Sequence, residues 1–405
     1  MSIRKLQIPT GMQDTLPGEC HQRRQLENRF REFFCLSGYQ EIETPVLEFY
    51  DTLSQRPYGY PPEHVWKTFD RSGRILALRP DSTIPAARMA AGPLRSRPLP
   101  LRLCYLQSAT AFESDTLSLL CEQPQAGIEL MGEAGSLADA EVIGLAIDCL
   151  KAAGLREYQI ELGQAAFFTA FMREGGLSET QAHEVRYLVE RKDSFGIQLY
   201  LRQEDVPEDV TRRLMRLPRL YGDLSVLDEA AALTSSPACH EALDSLRTVI
   251  GLLGRQGRGA EVTIDLGMAQ EAGYYSGIIF RGHAAGVGQP ILSGGRYDGL
   301  PAHFGRSVPA VGFALMTKLL MIALERQGER FAPEGVDWLI ACDPDSPKAV
   351  ADALNEAAVR RGAGESVAML YHIDPEAVRA QLRTGSARQA LCFTDEGPVP
   401  VDKEV

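Results

Sequence analysis

The chain predicts an α+β fold, in which a mixed-sheet core is split by a helical insertion and followed by a small α/β domain. Three observations carry this expectation. Short runs with strand character occur on both sides of a segment, about 178–253, that is rich in Leu, Ala, Arg and Glu and poor in β-forming runs. A Pro/Gly linker, GERFAPEG at 328–335, then precedes a regular alternation of strand and helix patterns. Finally, 405 residues with 44% hydrophobic and 24% charged content suit two or three soluble domains, each with its own core. The expected division is a core over 1–325 and a C-terminal domain over 336–405.

Taken in order, Gln22 to Leu36 spaces Leu26, Phe30, Phe33 and Phe34 at helical intervals, predicting an amphipathic helix that Gly38 ends. Gln40 to Val46 reads as a strand leaving a turn. Pro45 cannot donate to a ladder, so it belongs at a strand edge or end, a position suited to pairing across a dimer. Arg74 to Leu78 predicts a strand running into Arg79-Pro80-Asp81-Ser82-Thr83, with Asp81 or Ser82 capping a helix over Ile84 to Met89. Strands follow at Leu101 to Leu106 and Gly127 to Met131, then a helix from Ala138 to Ala153 ended by Gly154, and a strand from Tyr158 to Leu162. After the insertion, Gly251, Gly254, Gly257 and Gly259 return the chain to strands at Val262 to Leu266, Tyr274 to Phe280 and Pro290 to Leu292, and to a final helix at Phe313 to Glu325. The C-terminal domain should hold strands Trp338 to Ala341, Val367 to Leu370 and Ala390 to Phe393, with helices Pro347 to Arg361 and Pro375 to Arg383 between them.

Composition narrows the function. With 54 acidic against 42 basic side chains, the net charge of -12 disfavours steering of a polyanion, so nucleic acid is not the expected partner. Eight cysteines without a CxxC pair argue for reduced thiols rather than a zinc site or a disulfide framework. Seven histidines show neither HExxH nor paired ligand spacing, so no metal centre is expected, and no GxSxG elbow supports a hydrolase. The N-terminal stretch has two early cations but no apolar run behind them, and no apolar segment reaches membrane-spanning length. The expectation is a cytoplasmic protein with no cofactor and no membrane contact.

The most informative stretch is Tyr105 to Gly132, YLQSATAFESDTLSLLCEQPQAGIELMG, which carries polar groups but no Lys or Arg. A site that activates a carboxylate with ATP must stabilise charge on a pentavalent phosphate, normally with guanidinium groups or metal ions. Gln125 and Glu129 lie four apart on a predicted strand and share one face, where they could hold a cation or an imidazole; a solvated strand face is the plainer alternative. On the predicted strand, Tyr274 and Tyr275 point to opposite faces, so at most one hydroxyl enters a given pocket, and a packed aromatic pair is the plainer reading. Gly294-Gly295-Arg296-Tyr297-Asp298-Gly299 lets backbone approach a ligand but lacks a Gly-Lys-Ser/Thr ending, and by itself reads as a turn.

In order along the chain, Pro9 to Asp14, Gly38-Tyr39 to Thr44-Pro45, Leu78-Arg79-Pro80-Asp81-Ser82-Thr83, Gly127-Ile128-Glu129, Tyr274-Tyr275-Ser276-Gly277 and Gly294 to Leu300 resemble the histidyl-tRNA synthetase core over about residues 1–325. The resemblance implies a class II aminoacyl-tRNA synthetase-like antiparallel sheet with helices, dimerising through the Pro45 region, and a histidine pocket. In that pocket Asp81, Thr83 and Gln125 would face the ammonium of the ligand and Glu129 and Tyr275 its imidazole. Tyr274 is expected among the ligand-binding residues too, and Tyr297 with the Gly294-Gly295 backbone would line the wall. Where the family carries its catalytic arginines, this chain shows Ala111, Leu119, Cys121, Gln270 and Leu319. Losing one such donor typically costs about 3 kcal/mol of transition-state stabilisation, so losing several should leave no useful adenylation. A histidine pocket without activation chemistry resembles the regulatory subunit of ATP phosphoribosyltransferase, a synthetase paralogue that activates the short-form catalytic subunit in the first step of histidine biosynthesis and helps feedback regulation by histidine. The implied partners are that transferase chain, a second copy of this chain, and histidine as effector. The rival readings are a histidine-tRNA ligase with a divergent site and a non-catalytic RNA-binding paralogue.

Overall fold

The computed structural model describes residues 6–9, 11–55, 58–110, 121–268, 274–329, 335–372 and 374–402. The chain divides into two compact units, Met1–Asp14 with Arg23–Glu329 and Thr15–Gln22 with Arg330–Val405. The first helix, Pro17–Leu36, starts five residues before the expected Gln22, with Pro17 at the position where a missing N–H goes unnoticed. Its face of Leu26, Phe30 and Phe34 is buried, and Phe34 packs edge-on to Phe313 at 6.3 Å.

The larger unit is organised by nine strands. These are β1 (Gln40–Glu41), β5 (Leu101–Thr110), β6 (Glu122–Met131), β7 (Tyr158–Gln164), β8 (Tyr221–Gly222), β9 (Val262–Asp265), β10 (Ile278–Ala284), β11 (Leu292–Arg296) and β12 (Ala310–Met316). A separate three-stranded sheet holds β2 (Leu47–Phe49), β3 (Lys67–Phe69) and β4 (Ile75–Leu78) in the order β2-β4-β3. The large sheet runs β1-β5-β6-β12-β11-β10-β7-β9-β8. Its centre, β5 to β7, is antiparallel throughout, and parallel pairing occurs at β1·β5 and β7·β9. This is the class II synthetase-like sheet.

Several expected elements shift for identifiable reasons. Of the strand expected over Gln40 to Val46 only Gln40–Glu41 forms, as β1; β2 starts just beyond it in a different sheet, with Pro45 in the gap. The third-sheet strand β4 leads into the helix Thr83–Ala91, and Asp81 is the cap: its Oδ1 accepts the Ile84 N–H at 3.0 Å, while Ser82 makes no capping bond. The helix Ser136–Ala153 ends at Gly154, whose φ of 94° requires glycine. Helices begin at Ala165 rather than near residue 178, because Phe167, Phe168, Phe171 and Met172 form a buried face on Ala165–Glu174. They continue through Glu179–Glu190, Ser194–Gln203, Glu208–Leu214, Ser225–Ala232 and Pro237–Arg255.

Three corrections bear on the site. The expected strand Tyr274 to Phe280 is β10, Ile278–Ala284, so the tyrosine pair precedes the strand and strand alternation does not govern it. The expected final helix from Phe313 is β12 followed by the helix Thr317–Arg326; Phe313 and Leu315 are buried on one face and Gly312 and Ala314 occupy the other. The Gly294-Gly295 turn is likewise the middle of strand β11.

The smaller unit contains β13 (Val336–Cys342), β14 (Val367–Leu370), β15 (Ala387–Thr394) and β16 (Gly397–Val401), in the order β14-β13-β15-β16. The first three pair in parallel through the helices Pro347–Gly362 and Pro375–Arg383, and β16, which the sequence pattern did not reveal, adds antiparallel. Of the eight cysteines, all are free and six are buried.

Candidate functional site

Glu129 on β6, Gly312 on β12 and Gly295 on β11 are successive cross-strand partners, so they form one transverse row on one face of the large sheet. The next row along is Tyr105, Gly127, Ala314, Ser293 and Arg281. The glycines in these rows are spaces that neighbours fill. A Cβ on Gly312 would lie 1.9 Å from Glu129 Oε2, one on Gly295 2.7 Å from the Tyr275 ring, and one on Gly127 2.5 Å from the Tyr105 hydroxyl. Glu129, Tyr275 and Tyr105 can therefore lie flat against the sheet only because no side chain stands beneath them.

Glu129 is 1% exposed. Its Oε1 accepts the Thr83 hydroxyl at 2.8 Å and the Tyr105 hydroxyl at 3.3 Å, and its Oε2 accepts the Tyr297 hydroxyl. Burial pushes the carboxyl up to about 8, with the Tyr297 and Thr83 hydroxyls pulling the other way and the nearby Asp81 adding to the rise. Asp81, 8% exposed, stands at the head of the Thr83–Ala91 helix; its Oδ2 accepts Tyr60 at 2.5 Å and Tyr274 at 3.4 Å. Burial raises it too. Among the described residues, neither carboxyl has a cationic partner. Two buried carboxyl groups surrounded by hydroxyl donors form a site shaped for a small positively charged or amphoteric ligand.

The aromatic wall is continuous. The Tyr274 and Tyr275 rings are 4.7 Å apart and Tyr274 meets Tyr297 edge-on at 6.0 Å, so both members of the pair contribute on the same side, against the expectation of opposite faces. The backbone bend that allows this is fixed by the Ser276 N–H donating to the Arg296 carbonyl at 2.8 Å. Gln125, two residues from Gly127 on the same face, is 7% exposed; its Nε2 reaches only the Met316 sulfur at 3.5 Å, and its Oε1 has no hydrogen-bond partner among the described residues. A buried amide oxygen left unsatisfied marks a place for an absent donor.

The structure thus gathers Asp81, Thr83, Glu129, Tyr274, Tyr275, Gly295 and Tyr297 into one cluster, with Gln125 further along the same face. Gly294 points the other way, since a Cβ there would meet Phe280 and Phe313 in the core. Of the altered arginine positions, Leu319 lies half-buried in the helix Thr317–Arg326, and Cys121 is buried with its N–H on the Gly11 carbonyl at 2.7 Å. Ala111, Leu119 and Gln270, with most of the cation-free loop, lie outside the described residues. Sequence reasoning missed Tyr60 and Tyr105. Tyr105 had a signal, the glycine opposite it on the next strand; Tyr60 had none, because it reaches Asp81 from an irregular segment.

The histidyl-tRNA synthetase family model matches residues 11–320. A protein from Acetivibrio thermocellus named ATP phosphoribosyltransferase regulatory subunit is 43% identical over 336 residues, covering 83% of this chain and 80% of its own length. One of the same name from Ruminiclostridium cellulolyticum is 37% identical over 359 residues, covering 88% of this chain and 86% of its own. A crystal structure of an ATP phosphoribosyltransferase regulatory subunit/histidyl-tRNA synthetase from Bacillus halodurans superposes with a TM-score of 0.83 at 30% identity, over 96% of this chain and 98% of that one. Histidyl-tRNA synthetase from Nostoc superposes at 0.78 with 21% identity, over 95% of this chain and 90% of that one, which shows the shared fold. The chain belongs to the histidyl-tRNA synthetase family, and within it to the ATP phosphoribosyltransferase regulatory subunits.

Proposed function

We propose that this chain is a non-catalytic subunit that activates a separate short-form ATP phosphoribosyltransferase chain in the cytoplasm and conveys feedback by histidine. The observation that carries the reading is the pair of buried carboxyl groups, Asp81 and Glu129, without a cation among the described residues. Histidine supplies what they lack. Its ammonium fits Asp81, Thr83 and Gln125, and its imidazole fits Glu129 beside Tyr275, with Tyr297 and Gly295 behind. Adenylate chemistry would need cations on the phosphates. Leu319 and Cys121 provide none, and Arg281, the one arginine on this face of the described strands, is ion-paired to Glu190.

Calorimetry with histidine tests the pocket: Glu129→Ala should weaken binding by about 100-fold, from loss of a buried charged hydrogen bond. Unchanged affinity would remove the assignment. Histidine-dependent pyrophosphate exchange with ATP should be absent, and its presence would favour a working ligase. Transferase activity, assayed for a short-form chain with and without this protein, should depend on it. A homodimer is supported by the small sheet, where Leu47 and Phe49 are 41% and 45% exposed on the same face as half-buried Leu76 and Leu78. Sedimentation of Phe49→Glu should show a shift toward monomer.

A further inference from the structure

On the sheet face that carries Glu129, a ribbon of half-buried residues leads away from the carboxyl cluster: Thr83, Tyr275, Ala314, Ser293 and Arg281. Arg281 is on β10, the cross-strand partner of Ser293 on one side and Glu161 on the other. It is the one arginine, and there is no lysine, among the described strand residues on this face. Its Nη2 donates to Glu190, the last residue of the helix Glu179–Glu190. The neighbouring charges are already committed: Glu161 accepts from His283 Nε2 at 3.3 Å, and Lys192 Nζ sits 2.8 Å from both oxygens of Asp265. Glu190 is the sole ion-pair partner that Arg281 has among the described residues, and the pair is partly open to solvent.

The spacing fits a small amino acid. From Glu129 to Arg281 there are three strand spacings of about 4.8 Å across and two residues of about 3.4 Å along, roughly 16 Å between Cα atoms before the two long side chains reach inward. Tyr275 lies over Gly295 between them, and the unsatisfied Gln125 Oε1 opens onto the same face. A zwitterion with its imidazole on Glu129 and its ammonium toward Asp81 still needs a cation for its carboxylate, and this face provides one. We infer that Arg281 takes the ligand carboxylate in exchange for Glu190, so that filling the site unties the Glu190 end of the Glu179–Glu190 helix from β10. Ligand identity is thereby read at one end of the ribbon and passed to the helical segment at the other. The inference rests on the histidine reading of the site and adds its carboxylate anchor and its output.

Calorimetry with L-histidine and L-histidinol, which carries a hydroxymethyl group in place of the carboxylate, separates the two ideas. The wild-type protein should prefer histidine by about tenfold or more, as a charge-assisted pair warrants. Arg281→Gln should erase that preference while leaving histidinol affinity within about twofold, and Arg281→Lys should restore part of it. Glu190→Gln should raise histidine affinity and leave histidinol unchanged, and in the wild type hydrogen exchange in the last turn of the Glu179–Glu190 helix should quicken with histidine and not with histidinol. Histidine binding with an unaltered preference in Arg281→Gln would overturn the exchange and leave the pocket standing. If neither compound binds the wild-type protein, both readings fall.

Discussion

Glu129 and Asp139 are both buried carboxyl groups, and their surroundings differ in one respect. Asp139, in the first turn of the helix Ser136–Ala153, is 3% exposed and meets Arg296, whose Nε and Nη2 lie 2.9 and 2.7 Å from its Oδ1. Arg296 also reaches Asp298 at 3.0 Å, and Asp298 in turn accepts the Ala310 N–H, so the ion pair ties helix, β11 and β12 together. Glu129 has hydroxyl donors and no guanidinium. Arg296 stands between Gly295 and Tyr297 in the chain, yet alternation directs it to the opposite face. A buried acid with a built-in cation is tied into the fold; on the proposed reading, a buried acid without one is left to meet the cation of a ligand.

The contrast is sharpest in what removal should do. Arg296→Ala strands Asp139 without its partner and should cost about 3–5 kcal/mol in urea denaturation, with histidine affinity falling only as the fold does. Gly312→Ala pushes a methyl against Glu129 Oε2 and the Ile128 carbonyl, so a loss of about 1–3 kcal/mol should come with loss of histidine binding. Glu129→Gln should do the reverse of Arg296→Ala, weakening ligand binding while sparing stability. Because the folded-state carboxyl is raised to about 8, its contribution is fully present below the ordinary carboxylate range and is lost as pH rises through about 8. Ligand-free wild-type protein should therefore lose stability from pH 6 to 9, with a slope approaching about 1.4 kcal/mol per unit near neutrality, and Glu129→Gln should flatten that slope. The facing groups, Asp81, Tyr60, Tyr105, Tyr275 and Tyr297, are all raised by burial and so do not offset it. The smallest effect should be Tyr60→Phe, which removes one donor from Asp81 and should cost about 1 kcal/mol on calorimetry of unfolding.

Order along the chain made the core legible, because elements set by apolar periodicity or by a stop residue, such as the helix ended by Gly154, come through in sequence. What stayed hidden were positions whose chemistry depends on a neighbour distant in the chain. Gly294-Gly295 reads as a turn because glycine pairs usually make turns; here the glycines leave room for Phe280 and Tyr275. Phe313 reads as helical because the apolar run 313–325 has no breaker, although the strand-to-helix change falls inside it at Thr317. The resemblance names Tyr274 and Tyr275 as candidates for the site, but their shared side comes from a bend before β10 that the local pattern does not signal. Tyr60 could be found only from the folded chain.

The transverse row of Glu129, Gly312 and Gly295 has a mechanical corollary. If β12 slid by one residue against its neighbours, Val311 or Phe313 would stand where Gly312 now leaves a gap, and the carboxylate would be crowded out. The space beside Glu129 is thus tied to strand alignment at single-residue resolution, and a shear of the central strands would close it with no change of residue at the site.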